Sequence, residues 1–318
     1  MKRKKVFVTG MSGYVGQCLC RELDRGTYCG KFYGMDVKEP LYKFTKGEFR
    51  KMDVNDPALA EWIKEIQPDV IVHLAYVLQP SHDSAGMRKI NVDGTKNVLD
   101  AAKKAGVKQI LVTSSGTAYG AWPDNPVPIT EDDPIRRHPG FQYARDKADM
   151  EAILAEFVEE NPDIITSWVR PCIIYGPNVD NYISQLFTLP IAMDLKGCPS
   201  PQLQFVHEDD VVAALMFLLK KEARGPYNLA PPDTMTLSEV NALSGKPAAP
   251  LTPSLMGAIF RTTWALGLPI LKVPESFLDF VQYPWVLDTS KLMDLGFKYT
   301  YSTRETIEIM LRAKGIIP

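Results

Sequence analysis

Residues 5–16 read KVFVTGMSGYVG, a short apolar run that ends at Thr9 and opens into three glycines, Gly10, Gly13 and Gly16. A backbone stripped of side chains can approach a pyrophosphate closely. The start of the helix that follows offers unpaired N–H groups and a partial positive charge. Gly16 lets that helix sit close on the strand behind it. A glycine triplet alone is weak, and its weight comes from Asp36, which closes the next apolar run, KFYGMD. That is about twenty residues on, where a dinucleotide-binding fold places the acid that holds the adenosine ribose. A carboxylate there accepts both ribose hydroxyls and repels a 2′-phosphate. It therefore predicts NAD rather than NADP, with Lys38 close enough to soften the preference.

Outward from this stretch the same grammar repeats. VGQCLCRELD, ALAEWIKEIQ and RKINVDGTKNVLDAAKKAG have helical spacing, whereas DVIVHLA and QILVTSS are apolar on consecutive residues. Consecutive apolar runs imply strands buried on both faces, and the helices between them imply right-handed crossovers. DKADMEAILAEFVEE and DIITSWVR continue the pattern. The fold class predicted is α/β, a doubly wound parallel sheet of the Rossmann type with a smaller C-terminal substrate lobe. After Pro171 the regularity fails in NYISQLFTLPIAMDLKGCPSPQLQ, and FVHEDDVVAALMFLLKK resumes strand and helix. The expected division is a cofactor domain at 1–171 plus 205–230, and a substrate lobe at 172–204 plus 231–318.

The 318 residues are 45% hydrophobic and 23% charged, a composition that fits a globular chain with a full core and a second lobe. A net charge of -2 offers no broad basic face, so nucleic acid is not an expected partner. The basic tip MKRKK leads into glycines rather than an apolar signal core, and the expected location is cytoplasmic. SLMGAIFRTTWALGLPIL is interrupted by Arg261, two glycines and Pro269, so no membrane span is expected. The five cysteines lack CxxC spacing and the four histidines lack HxxxH, so neither a disulfide framework nor a metal centre is expected.

One further pattern is Tyr143 followed four residues on by Lys147, in QYARDK. On a helix these two side chains share a face. Taken with the GxxGxxG loop and, in chain order, NVDGT, SSGTAYG, YARDK, RPCIIYGPN and FVHEDD, it makes the sequence resemble the extended short-chain dehydrogenases/reductases. The branch resembled is the NAD-dependent epimerase/dehydratase family, over nearly the whole chain. The resemblance implies Ser115, Tyr143 and Lys147 as the catalytic set. It implies a cofactor site of Gly10, Ser12, Gly13, Tyr14, Val15, Gly16 and Asp36 with Asp53 and Val54 at the adenine. Leu74, Ala75 and Tyr76 follow in the turn after His73, then Asn91, Tyr143, Lys147 and Pro171, with Asn91 steadying the active-site helix. Tyr143 is then the acid/base, expected to be lowered by ~1–3 units by the lysine and a nicotinamide cation. Ser114 is read as a strand-end hydroxyl bonded to its own backbone. Arg170 and His207 are read as structural.

The chemistry predicted is hydride transfer between NAD and a secondary alcohol or ketone of a small-molecule substrate. A UDP-sugar 4-epimerase with retained NAD is the alternative. Gly116 and Thr117 follow Ser115 where related dehydratases carry acidic residues, which argues against elimination. Ile173 and Leu203 stand where many epimerases carry a substrate-contacting asparagine and an arginine. Tyr76, Val77, Leu78, Trp122, Leu186, Phe187, Trp264 and Trp285 are candidates for an apolar pocket. MRKINVDGTKNVLDAAKKA and ARDKADMEAILAEFVEE, apolar on more than one face, predict a homodimer.

Overall fold

The computed structural model describes residues 3–268 and 272–318. The first two residues of the MKRKK tip and Pro269, Ile270 and Leu271 of the SLMGAIF stretch lie outside the described residues. Seven strands form the main sheet: β1 (Lys4–Thr9), β2 (Cys29–Asp36), β3 (Gly47–Lys51), β4 (Val70–His73), β5 (Gln109–Thr113), β6 (Ile165–Pro171) and β7 (Gly225–Leu229). Their order is β7-β6-β5-β4-β1-β2-β3, parallel in register from β3 through β6. The longer helices that connect these strands are α1 (Tyr14–Arg25), α2 (Ala58–Ile66), α3 (Gly94–Ala105), α4 (Gln142–Glu160) and α5 (Glu208–Lys221). This is the doubly wound α/β architecture the sequence predicts. The apolar runs explain it, since Val6, Phe7 and Val8, Val70 to Val72, and Ile110 to Val112 are all fully buried.

The winding reverses between β1 and β4, so the connections that leave those two strands run in opposite directions, which is where an open α/β sheet places its ligand site. Two details depart from the sequence pattern. The helix over RKINVDG is not a single α-helix, because a π-helical turn, Lys89–Asp93, precedes α3 and carries Asn91. Phe205–His207 does not join the main sheet but pairs with Ile173–Tyr175, and the seventh strand comes from GPYNL instead.

The chain divides into two compact units. The first, 1–114 with 146–170 and 211–227, holds the sheet core, where Phe7 meets Trp62 edge-on at 5.0 Å. The second is 115–145 with 171–210 and 228–318. The segment 115–145, placed in the cofactor domain on sequence, is therefore counted with the second unit. That unit holds three two-stranded sheets and helices with well-made starts, such as Leu237–Ser244 and Thr303–Ala313, both opened by capping boxes. Among the described residues no helix is long and apolar enough to cross a membrane.

Inside the first unit, Glu151 on α4 is 4% exposed and collects four donors. Arg170 Nε lies 3.0 Å from both carboxylate oxygens and Arg170 Nη2 lies 2.5 Å from Oε2. Trp168 Nε1 donates at 3.0 Å and Ser114 Oγ at 2.5 Å. Ser114 thus turns its hydroxyl inward to a buried charge rather than to its own backbone, because an interior carboxylate needs every donor within reach. Arg170 is structural, as expected. Glu151→Ala would leave the arginine buried without its partner, and should cost about 3–5 kcal/mol in urea unfolding, with Glu151→Gln costing less.

Candidate active site

The glycine loop leaves β1 at the switch point and has no room for a side chain at Gly10 or Gly16. Gly10 has φ +72°, and a Cβ there would stand 2.5 Å from the Ala75 backbone nitrogen, while a Cβ at Gly16 would stand 2.0 Å from the Gly10 oxygen. Both positions demand glycine. No side chain caps the start of α1 and no acidic residue sits in its first turn, which leaves its positive end directed at the loop. Asp36, at the end of β2, accepts the Ser12 N–H at 3.1 Å and the Lys38 N–H at 3.2 Å. A carboxylate has about four acceptor positions, so these two bonds fix it beside the loop and leave it able to accept more. The cradle and the flanking acid fit a dinucleotide.

Thr9 and His73 lock the loop's base. Thr9 Oγ1 accepts the N–H groups of Leu74 and Ala75 at 3.2 Å each, so its own proton goes to His73 Nδ1 at 2.7 Å. His73 Nε2–H then donates to Thr95 Oγ1 at 3.0 Å, and Thr95 donates to the Asn91 carbonyl at 2.7 Å. Burial, with the Lys147 charge adding to it, pushes His73 down to about 3, so the imidazole is a neutral strut. Asn91, fully buried, accepts the Val77 N–H at 2.8 Å and donates to Asp146 of α4 at 3.1 Å. Asp53 holds its own loop through the Asn55 N–H at 2.8 Å, and Val54 is buried against Gly94. Leu74, Ala75 and Tyr76 are half-buried, and Pro171 ends β6.

Lys147 is 2% exposed, with Nζ donating to the Thr113 carbonyl at 2.8 Å and lying 3.4 Å from the centre of the Tyr76 ring. Burial pushes its pKa down to about 7, against the opposing pull of Glu151 and Asp146. One turn earlier on the same helix, Tyr143 is hydrogen-bonded to Ser115, whose Oγ also accepts the Thr117 N–H at 3.2 Å and hydroxyl at 3.0 Å. The phenol departs from expectation. Desolvation outweighs the Ser115 hydrogen bond and pushes Tyr143 up to about 12 rather than down. Sequence weighs the neighbouring charge but not the loss of water, which only the fold sets. Sequence reasoning also missed Asp146 and Glu151, whose spacing three and four residues from Tyr143 and Lys147 on the helix was the available signal.

A sheet wound in this order, with a glycine loop at its switch point and a Ser, Tyr, Lys set on β5's exit and α4, defines an extended short-chain dehydrogenase/reductase. The chain belongs to the NAD dependent epimerase/dehydratase family, whose model matches residues 6–230. It is 26% identical to an uncharacterized protein of Mycobacterium tuberculosis (strain ATCC 25618 / H37Rv), over 99% of this chain and 85% of that one. It is 29% identical to a UDP-glucose 4-epimerase of Mycolicibacterium smegmatis over 67% of this chain and 72% of the relative. Among solved structures it is similar to WbmG of Bordetella bronchiseptica in complex with NAD and UDP, with TM-score 0.76 and 22% identity. That likeness, which is one of fold, covers 99% of this chain and 96% of the other.

Lys147 gives a stability test. Its folded pKa lies below the unfolded value, so the unfolded chain binds more protons between about pH 7 and 10.5, and stability rises across that window. Lys147→Met removes the buried charge and loses one hydrogen bond. In thermal unfolding it should be more stable than wild type near pH 6, with the advantage shrinking toward about pH 10.

Proposed function

We propose that the protein is an NAD-dependent enzyme that moves hydride between the nicotinamide and a secondary alcohol or ketone carbon, with Tyr143 as proton carrier. The observation that carries this reading is the placement of Tyr143, in interaction with Ser115, at the start of the helix that one turn later buries Lys147 with its Nζ on the Thr113 carbonyl. Gly10, Ser12, Gly13, Tyr14, Val15 and Gly16 would hold the pyrophosphate, and Asp36 the adenosine ribose. Asp53 and Val54 would meet the adenine, and Leu74, Ala75, Tyr76, Asn91 and Pro171 would border the rest. The chemistry that bound NAD supplies is acceptance and return of hydride.

The chain's own residues divide the remaining work. A phenol near 12 is neutral at working pH, so Tyr143 stands ready to donate a proton to a carbonyl oxygen, with Ser115 bonding that oxygen beside it. To take a proton instead, Tyr143 needs positive charge nearby. Lys147, near 7, is about half charged at neutral pH and fully charged below it. Its ammonium also orients the nicotinamide ribose.

A second reading, a UDP-sugar 4-epimerase, is favoured by the M. smegmatis relative. Against it stand Leu203, which is buried and paired with Met235, and Ile173, neither of which can bind a polar group. Purification separates the two, since cofactor that survives gel filtration suits an epimerase and cofactor that exchanges freely suits a net oxidoreductase. Tyr143→Phe should lower single-turnover hydride transfer by ~10²–10⁴ while NAD affinity holds. Wild-type turnover in that variant contradicts the mechanism. Asp36→Ala should weaken NAD binding and relax discrimination against NADP, as read by titrating both cofactors.

A further inference from the structure

The turn that leads into α4 is gripped by side chains from far along the chain that have no part in the chemistry above. His138 is 4% exposed, and both of its ring nitrogens are engaged. Nδ1 accepts the Phe141 N–H at 3.2 Å and so carries no proton, while Nε2–H donates to Asp279 Oδ2 at 3.0 Å. Trp122 at 5.2 Å and Phe280 at 5.3 Å wall the imidazole. Asp279 opens the helical turn Asp279–Gln282, directly after the 3₁₀ turn Glu275–Leu278. From the same two turns Ser276 Oγ donates to the Gly140 carbonyl at 2.7 Å, and Phe277 and Phe280 meet the Phe141 ring at 5.9 and 5.4 Å. All of these residues belong to the second unit.

Phe141 is where the helix begins. Its carbonyl accepts the Arg145 N–H at 3.0 Å, and its ring lies 6.0 Å from that of Tyr143, two residues on. With N–H, carbonyl and ring all held, Phe141 has little freedom, and neither has the phenol that follows it. The cap differs in kind from an ordinary one. Ser, Thr, Asp and Asn accept through an oxygen that has no tautomer to choose. A neutral imidazole accepts at one nitrogen only, and its proton must sit on the other. The Asp279 carboxylate draws that proton to Nε2 and leaves Nδ1 bare for Phe141. In the opposite tautomer two N–H groups would face each other across 3.2 Å at a buried site.

Resting on the reading of Tyr143 above, we propose that His138, with its tautomer set by Asp279, is a positioning residue for the proton carrier. Its accepting nitrogen fixes where α4 starts, and hence where the Tyr143 hydroxyl stands. A catalytic group displaced by about 1 Å can lose ~10² in rate, so a hold that adds little to stability still bears on the chemistry.

Two substitutions each keep half of the imidazole. His138→Asn places an amide oxygen near the position of Nδ1 and can still accept from Phe141, whereas His138→Gln reaches toward Asp279 and leaves the Phe141 N–H without its acceptor. In the full chain the readouts are the fluorine NMR resonance of 3-fluorotyrosine placed at position 143, NAD affinity, Tm, and single-turnover hydride transfer from cyclohexanol to NAD. Wild type and His138→Asn should share one resonance. His138→Gln and Asp279→Ala should shift or split it and lower the transfer rate ~10–10²-fold while NAD affinity holds. A wild-type resonance in either of those two variants overturns the proposal, even where Tm falls, because it marks a cap and nothing more. So does a His138→Asn protein as impaired as His138→Gln, since the bulk of the ring rather than its accepting nitrogen is then what counts. Should His138→Gln fail to fold, Asp279→Ala, at a half-exposed position, decides the matter. A wild type that binds NAD yet takes no hydride from cyclohexanol counts against the hydride-transfer reading, whereas the resonance reports the placement of Tyr143 with no substrate present.

Discussion

The arrangement around α4 depends on the cost of taking one ammonium group out of water. Lys147 is buried, and the carboxylates of Glu151 and Asp146 pull its pKa back up against that desolvation. Those carboxylates are themselves buried and have to be satisfied in turn. Asp146 takes the Asn91 amide, and Glu151 takes Arg170, Trp168 and Ser114. This network of two buried cations, Lys147 and Arg170, and two buried carboxylates ties α4 to β5, β6 and the turn before α3.

The glycine loop poses the opposite problem, because at Gly10 and Gly16 it must carry no side chain and yet not collapse. Thr9 and His73 answer it with a chain of hydrogen bonds that runs from β1 across β4 to Thr95 and Asn91. Each group in that chain has one donor direction fixed by the previous group. The imidazole therefore has no freedom to change tautomer, and its depressed basicity keeps the chain intact across the physiological pH range.

The sheet was legible because its strands are buried on both faces, and consecutive apolar residues such as Val70 to Val72 can mean little else. The loop was legible because no residue but glycine fits at Gly10 and Gly16. β7 was not, since GPYNL offers neither an apolar run nor alternation, and its place on the sheet edge is a tertiary fact. The π-turn at Lys89–Asp93 leaves no trace in the 3.6-residue spacing on either side of it. The direction of the Tyr143 shift was misjudged for a similar reason, as charge neighbours can be read from spacing but desolvation cannot. Glu151 carries no motif, and it draws its interest from what surrounds it in space.

A buried amine near neutrality has a chemical consequence of its own. Once it loses its proton, Lys147 is a nucleophile, and primary amines condense with ketones to form imines. In a protein proposed to handle ketones, such a reversible condensation would occupy the amine. The Thr113 carbonyl engages one amine hydrogen, and the face of Tyr76 lies 3.4 Å from the nitrogen and covers it. The ring thus occupies one side of the amine, and the Thr113 carbonyl holds another.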